Sequence, residues 1–468
     1  MLASCTKDPD GPEVVVEGPR LVAVSPLDGT SDLIGNTLKI QFTFDQNVLC
    51  PTSERNRIYV DNGAVIVSVE AYMKDVTLLL DGLQGGKTYR VSLPKGTVSG
   101  YRDNPADEIS LSFSMKEVAE PTPSDQEIDA SLTNPKASAA AKKVYEFLVS
   151  QYGKKVLSGV QSGDTANNNG NVDAIAELTG KHPAVAGYDY IFLQYSPTPA
   201  GWSWVVDYGD ISAAKEQWSK NGLVSFMWHW NVPTSKEAWD NGINKGDFDG
   251  YNFYCDKTKF DIVRALTPGT WENEFLLKDI EKVAGYLKLL QKEGIPVLWR
   301  PLHEAAGNYD LYGSNGAWFW WGRGGADACK QLWKLLRDKL EGEYGLDNLI
   351  WVWTLDATQG AESQYADWYP GNDLVDIVGV DIYADDTAAK TRQYKAAAAL
   401  SGGRKLTTIS ECGNIPDPEK CLAAGEAWNW FLAWSLDQGN YKLNTDTYWK
   451  KLMSSSSVVT RESMPNLK

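Results

Sequence analysis

The sequence predicts an α/β fold, a (β/α)8 TIM barrel, preceded by a smaller all-β sandwich. Three observations predict it. A chain of 468 residues is too long for one ordinary core, so two domains are expected. Residues 20–116 carry short runs with period-two alternation, the pattern of half-buried strands. From residue 137 onward, eight apolar runs alternate with helical stretches, the pattern of parallel strands joined by helices.

The first region, 1–19, reads as a polar tether. Leu2-Ala3-Ser4-Cys5 has the form of a bacterial lipobox, in which Cys5 becomes the acylated first residue of the mature chain. Cys5 is therefore the candidate lipidation site. The expected location is the bacterial cell envelope, at the outer membrane or cell surface, held by lipid and not by a spanning helix. No apolar run reaches the length needed to cross a bilayer.

In 20–116 the strand candidates are Leu38–Phe44, Ile66–Tyr72, Tyr89–Leu93 and Ile109–Met115. Asp28-Gly29, Asp61-Asn62-Gly63 and Gly85-Gly86 supply turn chemistry between them. Val24-Ser25-Pro26-Leu27-Asp28-Gly29, followed by a strand bearing Asp45, resembles the bacterial immunoglobulin-like domains that precede secreted enzymes. A spacer role is expected. Residues 117–136 form the linker, where Glu120-Pro-Thr-Pro-Ser-Asp125 is acidic and stiffened by proline.

Barrel strands are expected at Lys155–Val160, Ala184–Tyr190, Leu223–Trp230, Pro296–Leu302, Leu349–Leu355, Ile377–Tyr383, Leu406–Ser410 and Trp430–Leu436. Helices are expected at 139–148, 274–293 and 326–343 within a catalytic domain of 137–468. The rival doubly wound sheet lacks any Gly-rich phosphate loop after a strand.

Net charge is −16, which argues against nucleic acid as a partner and suits a neutral substrate. All 19 tryptophans lie between Trp202 and Trp449. Flat rings stack on the apolar faces of sugars, although about half are expected in the core. Six cysteines without a CxxC pair make a zinc or thioredoxin-type site an unfavoured reading; Cys412 and Cys421 are near enough in sequence to pair. Nothing in the chain signals self-association, so a monomer is expected.

Predicted strand ends converge on one face of a barrel. They carry Trp228-His229-Trp230, His303-Glu304, Asp356, Asp381 with Tyr383, Glu411 and Trp434. Two of the three histidines fall on such ends, which favours function over a core role. A glycosidic bond needs a proton for the leaving oxygen and a second carboxylate for the anomeric carbon or for water. Glu304 and Glu411 fit those two roles, with Arg300 and Tyr383 available to keep one of them ionised. Arg300 precedes Glu304 by four, which on a continuous strand puts both on one face. No HExxH is present, and neither metal nor cofactor is expected.

The segments Arg300-Pro-Leu-His-Glu304, Trp318-Phe-Trp-Trp-Gly322, Asp376-Ile-Val-Gly-Val-Asp-Ile-Tyr383 and Ile409-Ser-Glu-Cys-Gly413 together resemble glycoside hydrolase family 26. The resemblance implies an endo-β-1,4-mannanase with Glu304 as acid/base and Glu411 as nucleophile. It implies β-mannan as the partner, with His229, Arg300, His303, Trp318, Asp381, Tyr383 and Trp434 as substrate-binding residues. It implies retention of configuration, for which the two carboxyls stand about 5–5.5 Å apart. The family runs from its HE through a short turn into WFWWG, whereas here Tyr309–Gly316 intervenes beside the acid. That departure leaves β-glucan and β-1,3-xylan open as alternative substrates. A surface glycan-binding lipoprotein without turnover is the rival from another class.

Overall fold

The structure is a computed structural model. It describes residues 17–468 apart from 34–36, 117–126, 164–167, 203–204, 244–248, 310–312, 358–364, 385, 439–440 and 443. Cys5, much of the predicted linker and part of the Tyr309–Gly316 insertion lie outside the described residues. The chain divides into two compact units, Met1–Ala119 and Glu120–Lys468.

The first unit holds two four-stranded sheets. One has the order Leu21–Ser25, Leu38–Phe44, Asp75–Asp81, Val65–Tyr72, all antiparallel. The other has the order Thr30–Leu33, Ile109–Met115, Thr88–Leu93, Tyr59–Val60, with its first pair parallel. Alternation puts Ile40, Phe42 and Phe44 into one core with Val76, Leu78, Val91 and Phe113. This is a β-sandwich built as the period-two pattern requires. The sequence reading omitted Asp75–Asp81, the strand between two predicted neighbours. Its Leu78-Leu79-Leu80 run hides the alternation that its burial shows.

The second unit is a closed parallel barrel. Its strands are β1 (Gly159–Gln161), β2 (Val185–Asp189), β3 (Leu223–Met227), β4 (Val297–Arg300), β5 (Leu349–Asp356), β6 (Ile377–Ile382), β7 (Leu406–Cys412) and β8 (Trp428–Ala433). They pair in chain order, and Val160 opposite Ala433 closes the ring. Every residue of β1 to β8 is buried, because side chains fill the inside and helices cover the outside.

Four predicted strands need correction; the third, expected to run to Trp230, ends at Met227. Lys155–Val160 is two pieces. Val156–Leu157 pairs with Val458–Val459 and with Trp430, and β1 begins after Ser158, whose N–H and hydroxyl both donate to the Val459 carbonyl (3.0 and 2.9 Å). Gly159 is required there, since a Cβ would lie 2.6 Å from the Phe431 carbonyl oxygen. β4 stops at Arg300 because Pro301 has no N–H for the ladder. β8 is two residues earlier at its start than expected and ends at Ala433, where the apolar Leu436 had extended the predicted run.

Helices α1 (Ala139–Gln151), α2 (Trp271–Lys292) and α3 (Gly325–Arg337) lie in the predicted stretches, with a π-helical turn over Asp338–Glu343 after α3. α2 starts where the Thr270 hydroxyl accepts from Asn273 N–H, and Glu272 and Glu274 meet its positive end. Its inner stripe is Leu276, Ile280, Val283, Leu287 and Leu290. Asp279 shares that stripe and accepts from the Trp230 indole N–H at 2.7 Å. Ahead of α1 the chain is bonded to the barrel. Asp129 N–H donates to the Arg404 carbonyl (2.8 Å), and Thr133 N–H and Oγ donate to Asp376 Oδ1 (both 2.7 Å). More than half of the tryptophans are buried, ten of the 19 being under 2 % exposed. Cys412 and Cys421 do not pair; both are buried free thiols. Among the described residues, no helix is long and apolar enough to cross a membrane.

Candidate active site

The site lies where β2 to β8 end. Glu411 is the penultimate residue of β7, and Asp381 is the penultimate residue of β6. The two face each other across a register shift in that pair of strands, which turns their side chains inward together. Glu304 arrives differently. It lies four residues beyond β4, on a turn in which Leu302 (φ 53°) and Glu304 (φ 52°) are left-handed. The expectation that strand alternation aligns Arg300 with Glu304 is therefore corrected: the chain leaves the ladder at Pro301, and the turn does the aligning. Left-handed backbone at two non-glycine residues is costly and persists only where surroundings hold it. Glu304 N–H donates to the Thr354 carbonyl of β5 (3.1 Å), and the Glu304 carbonyl accepts from Gly307 N–H (2.9 Å). Gly307 must be glycine, because a Cβ would sit 2.6 Å from the Trp318 ring.

Carboxylate oxygens of Glu304, Asp381 and Glu411 lie within 4.8 Å of one another. Arg300, 2 % exposed, donates Nη1–H to Asp381 (2.8 Å) and Nη2–H to Glu411 Oε1. Tyr383 donates its hydroxyl to the other Glu411 oxygen at 2.8 Å while its ring is exposed at the rim. Ser410 Oγ–H donates to Asp381 (2.7 Å). By distance alone the three acids could bracket a cation, but the Arg300 guanidinium already supplies positive charge to two of them.

The two glutamates differ in what opposes their burial. Burial pushes the Glu304 carboxyl well above the usual carboxylate range, and Asp381, Asp356 and Glu411 add to it. Burial, with Asp381 adding to it, raises Glu411 as well, to about 7, but less far, because Arg300, His229 and the Tyr383 hydroxyl favour its charged form. The proton held by this pair of carboxyls therefore sits on Glu304.

His229, two residues past β3, places Nδ1 2.5 Å from Asp189 Oδ2 and Nε2 3.2 Å from His303 Nε2. Burial works against a charge on His229; Asp189 outweighs it and raises the pKa. His303 is held well below the usual histidine range by burial, then by His229 and Arg300. Trp228 and Trp230 turn away into the core, stacked at 3.9 Å, so only the histidine of that triplet reaches the site. Trp434 stands half-buried with its ring 5.8 Å from that of His229. Trp318 is half-buried over Gly307. All nine predicted barrel-site residues are thus brought to one rim, with Arg300, Asp381, Tyr383 and Glu411 in direct contact. Asp189, Ser410, Phe253 and Phe319 were missed. Asp189 had a readable signal, an acid ending the otherwise apolar Val185–Asp189. Phe253 and Phe319 flank His229 at 4.9 and 5.7 Å; Phe319 had a readable signal in lying within the Trp318–Gly322 motif.

The sequence pattern of Glycosyl hydrolase family 26 matches residues 133–463. This chain belongs to that family. A Bacterial Ig-like domain pattern matches residues 15–115. Mannan endo-1,4-beta-mannosidase A of Piromyces sp is 35% identical over 348 residues, covering 72% of this chain and 51% of the relative. The chain thus spans about half the length of that protein. Mannan endo-1,4-beta-mannosidase of Thermothelomyces thermophilus is 34% identical over 407 residues, covering 81% of this chain and 75% of the relative. Among solved structures, a β-mannanase from a symbiotic protist of the termite Reticulitermes speratus, complexed with gluco-manno-oligosaccharide, is 35% identical with a TM-score of 0.61. That likeness covers 73% of this chain and 99% of the protist chain. The glycoside hydrolase barrel expected from the sequence is shown, as is the immunoglobulin-like domain before it.

Proposed function

We propose that this glycoside hydrolase is a retaining endo-β-1,4-mannanase in which Glu411 is the nucleophile and Glu304 the acid/base. One observation carries the reading: the two carboxyls lie within 4.8 Å, and among the described residues it is Glu411 that is ion-paired, to Arg300. An inverting pair needs room for water, about 6.5–9.5 Å. Ionised Glu411 attacks the anomeric carbon as Glu304 passes its proton to the leaving oxygen. Glu304, now a carboxylate, takes a proton from water, and that water displaces Glu411. Tyr383 and Arg300 hold Glu411 in place; Asp381, fully buried, holds Arg300 and not the substrate, a correction to its expected role; His229 stands beside the reacting sugar with His303 behind it, and Trp434 and Trp318 offer ring faces to the chain. The names of the relatives support mannan as substrate, and the protist complex supports a chain containing glucose as well.

Linear mannohexaose, glucomannan, galactomannan, lichenan and xylan form the test panel. Internal cleavage of mannohexaose with β-configured new ends is expected. Inverted products, or faster release from lichenan or xylan, would overturn the reading.

We also propose that Cys5 carries lipid and anchors a monomer at the bacterial outer membrane. Mass spectrometry of the native protein should show acyl chains on Cys5; an unmodified thiol there would refute the anchor.

A further inference from the structure

His229 is gripped by Asp189 twice. Asp189 Oδ1 accepts its backbone N–H at 3.0 Å, and Oδ2 meets its Nδ1 at 2.5 Å. Both oxygens of a carboxylate that is 1 % exposed are thereby committed to one residue. A carboxylate oxygen accepts, so the Nδ1 hydrogen is fixed on His229. The other ring nitrogen faces His303 Nε2 at 3.2 Å. Two imidazole nitrogens in contact hold one hydrogen between them. Either His229 is an imidazolium donating to neutral His303, or His303 donates to neutral His229.

The groups around His229 choose between these. From β2 comes Asp189, from β7 Glu411, from β4 Arg300 and from the turn after it His303. Phe253, Phe319 and Trp434 supply only ring contacts. Of the charged neighbours, the one in hydrogen-bond contact is the carboxylate of Asp189, and Glu411 adds a second negative charge, so the cation is favoured on His229. Burial and Arg300 oppose it.

We propose that Asp189 is a positioning residue for the reaction: by fixing the Nδ1–H form of His229, it makes the two histidines share one proton across their Nε2 atoms and keeps a positive imidazole facing Glu411. The Asp189–His229–His303 chain runs from β2 through β3 to the residue adjoining Glu304. It therefore couples to both carboxyls, to Glu411 by charge and to Glu304 by holding the ring that precedes it. This inference rests on the assignment of Glu304 and Glu411 as the reacting pair.

Asp189→Asn tests it with little change in shape. The amide oxygen must still accept the His229 backbone N–H, so the NH2 turns to Nδ1 and drives the ring hydrogen to Nε2. A base held in the wrong tautomer keeps its geometry and loses rate. With only three histidines in the chain, His182, His229 and His303, nitrogen-15 histidine spectra of the full-length protein resolve each ring. At neutral pH the wild type should show doubly protonated His229 and neutral His303. The variant should show neutral His229 bearing hydrogen on Nε2, with kcat down about 100-fold and KM little changed. Its acidic rate limb should move to higher pH, because Glu411 has lost a nearby cation and takes up a proton more readily. Asp189→Glu should recover part of the rate.

A wild-type spectrum with neutral His229 would overturn the proposal whatever the variant does. So would a variant whose histidine signals, or whose acidic limb, match wild type. The spectra do not depend on turnover. If Glu411→Ala stayed active while the histidines behaved as expected, the nucleophile assignment would fail and the proton-sharing pair would stand.

Discussion

The ends of β4 and β7 present the same side chain by opposite means. Glu411 is part of its strand, turned inward by a register shift, with Arg300 and Tyr383 on its two oxygens. Glu304 stands off its strand on a left-handed turn and faces three other acids, with no ion pair among the described residues. The difference teaches that two chemically identical groups are given unequal proton affinities by contacts alone, Glu304 the higher. It also shows where the strain is accepted: the positively charged clamp is built on regular strands, and the proton carrier on an irregular turn.

The comparison breaks most sharply at Glu411. Glu411→Ala should lower turnover on mannan by about 10⁴-fold, near 5.5 kcal/mol of barrier, with the fold retained. Azide should restore cleavage with inverted product, and near-normal mannan hydrolysis would end the assignment. Glu304→Ala should cost about 10²–10³-fold on polysaccharide and far less on activated aryl glycosides, which need no proton. Equal losses on both substrates would contradict an acid role.

Arg300→Lys keeps the charge and removes the fork that reaches Asp381 and Glu411 together. A loss of roughly 30-fold in kcat is expected, and the acidic limb of the rate profile should move to higher pH because Glu411 loses the charged hydrogen bond of the fork. Tyr383→Phe should move that limb in the same direction by less, with about a 10-fold loss, the value of one hydrogen bond to a charged group.

The smallest expected effect on activity sharpens the contrast with a third buried acid. Burial, opposed only in part by Lys282 and the Trp230 hydrogen bond, pushes Asp279 up to about 7. Its ordinary value is about 4, so the folded state binds the proton more tightly and stability falls as pH rises between those values. Asp279→Asn keeps an acceptor for Trp230 and removes that loss. Thermal melts should show no gain at pH 4 and a gain of up to about 4 kcal/mol above pH 7, with activity unchanged.

Much of this was legible in the chain. Period-two runs marked Leu38–Phe44 and Ile109–Met115, and eight apolar runs marked the barrel, because side-chain direction follows backbone period whatever the tertiary partners. Asp75–Asp81 escaped because its apolar run hides the alternation. The break at Ser158 escaped because it depends on the Val459 carbonyl, about 300 positions away.

The carboxyls of Glu304 and Glu411 were recognisable as a pair from strand-end position and neighbouring motif, since a barrel must bring the ends of its strands to one rim. What sequence alone could not decide was which contacts each group makes. Arg300 stands four residues before Glu304 yet binds Glu411 and Asp381, and Asp189 reaches His229 across two strands. Residue types and their periods determined the barrel and its rim. Closure of the ring alone decided where each proton rests, because ionisation in a buried site depends on distances of a few ångströms between residues far apart in the chain.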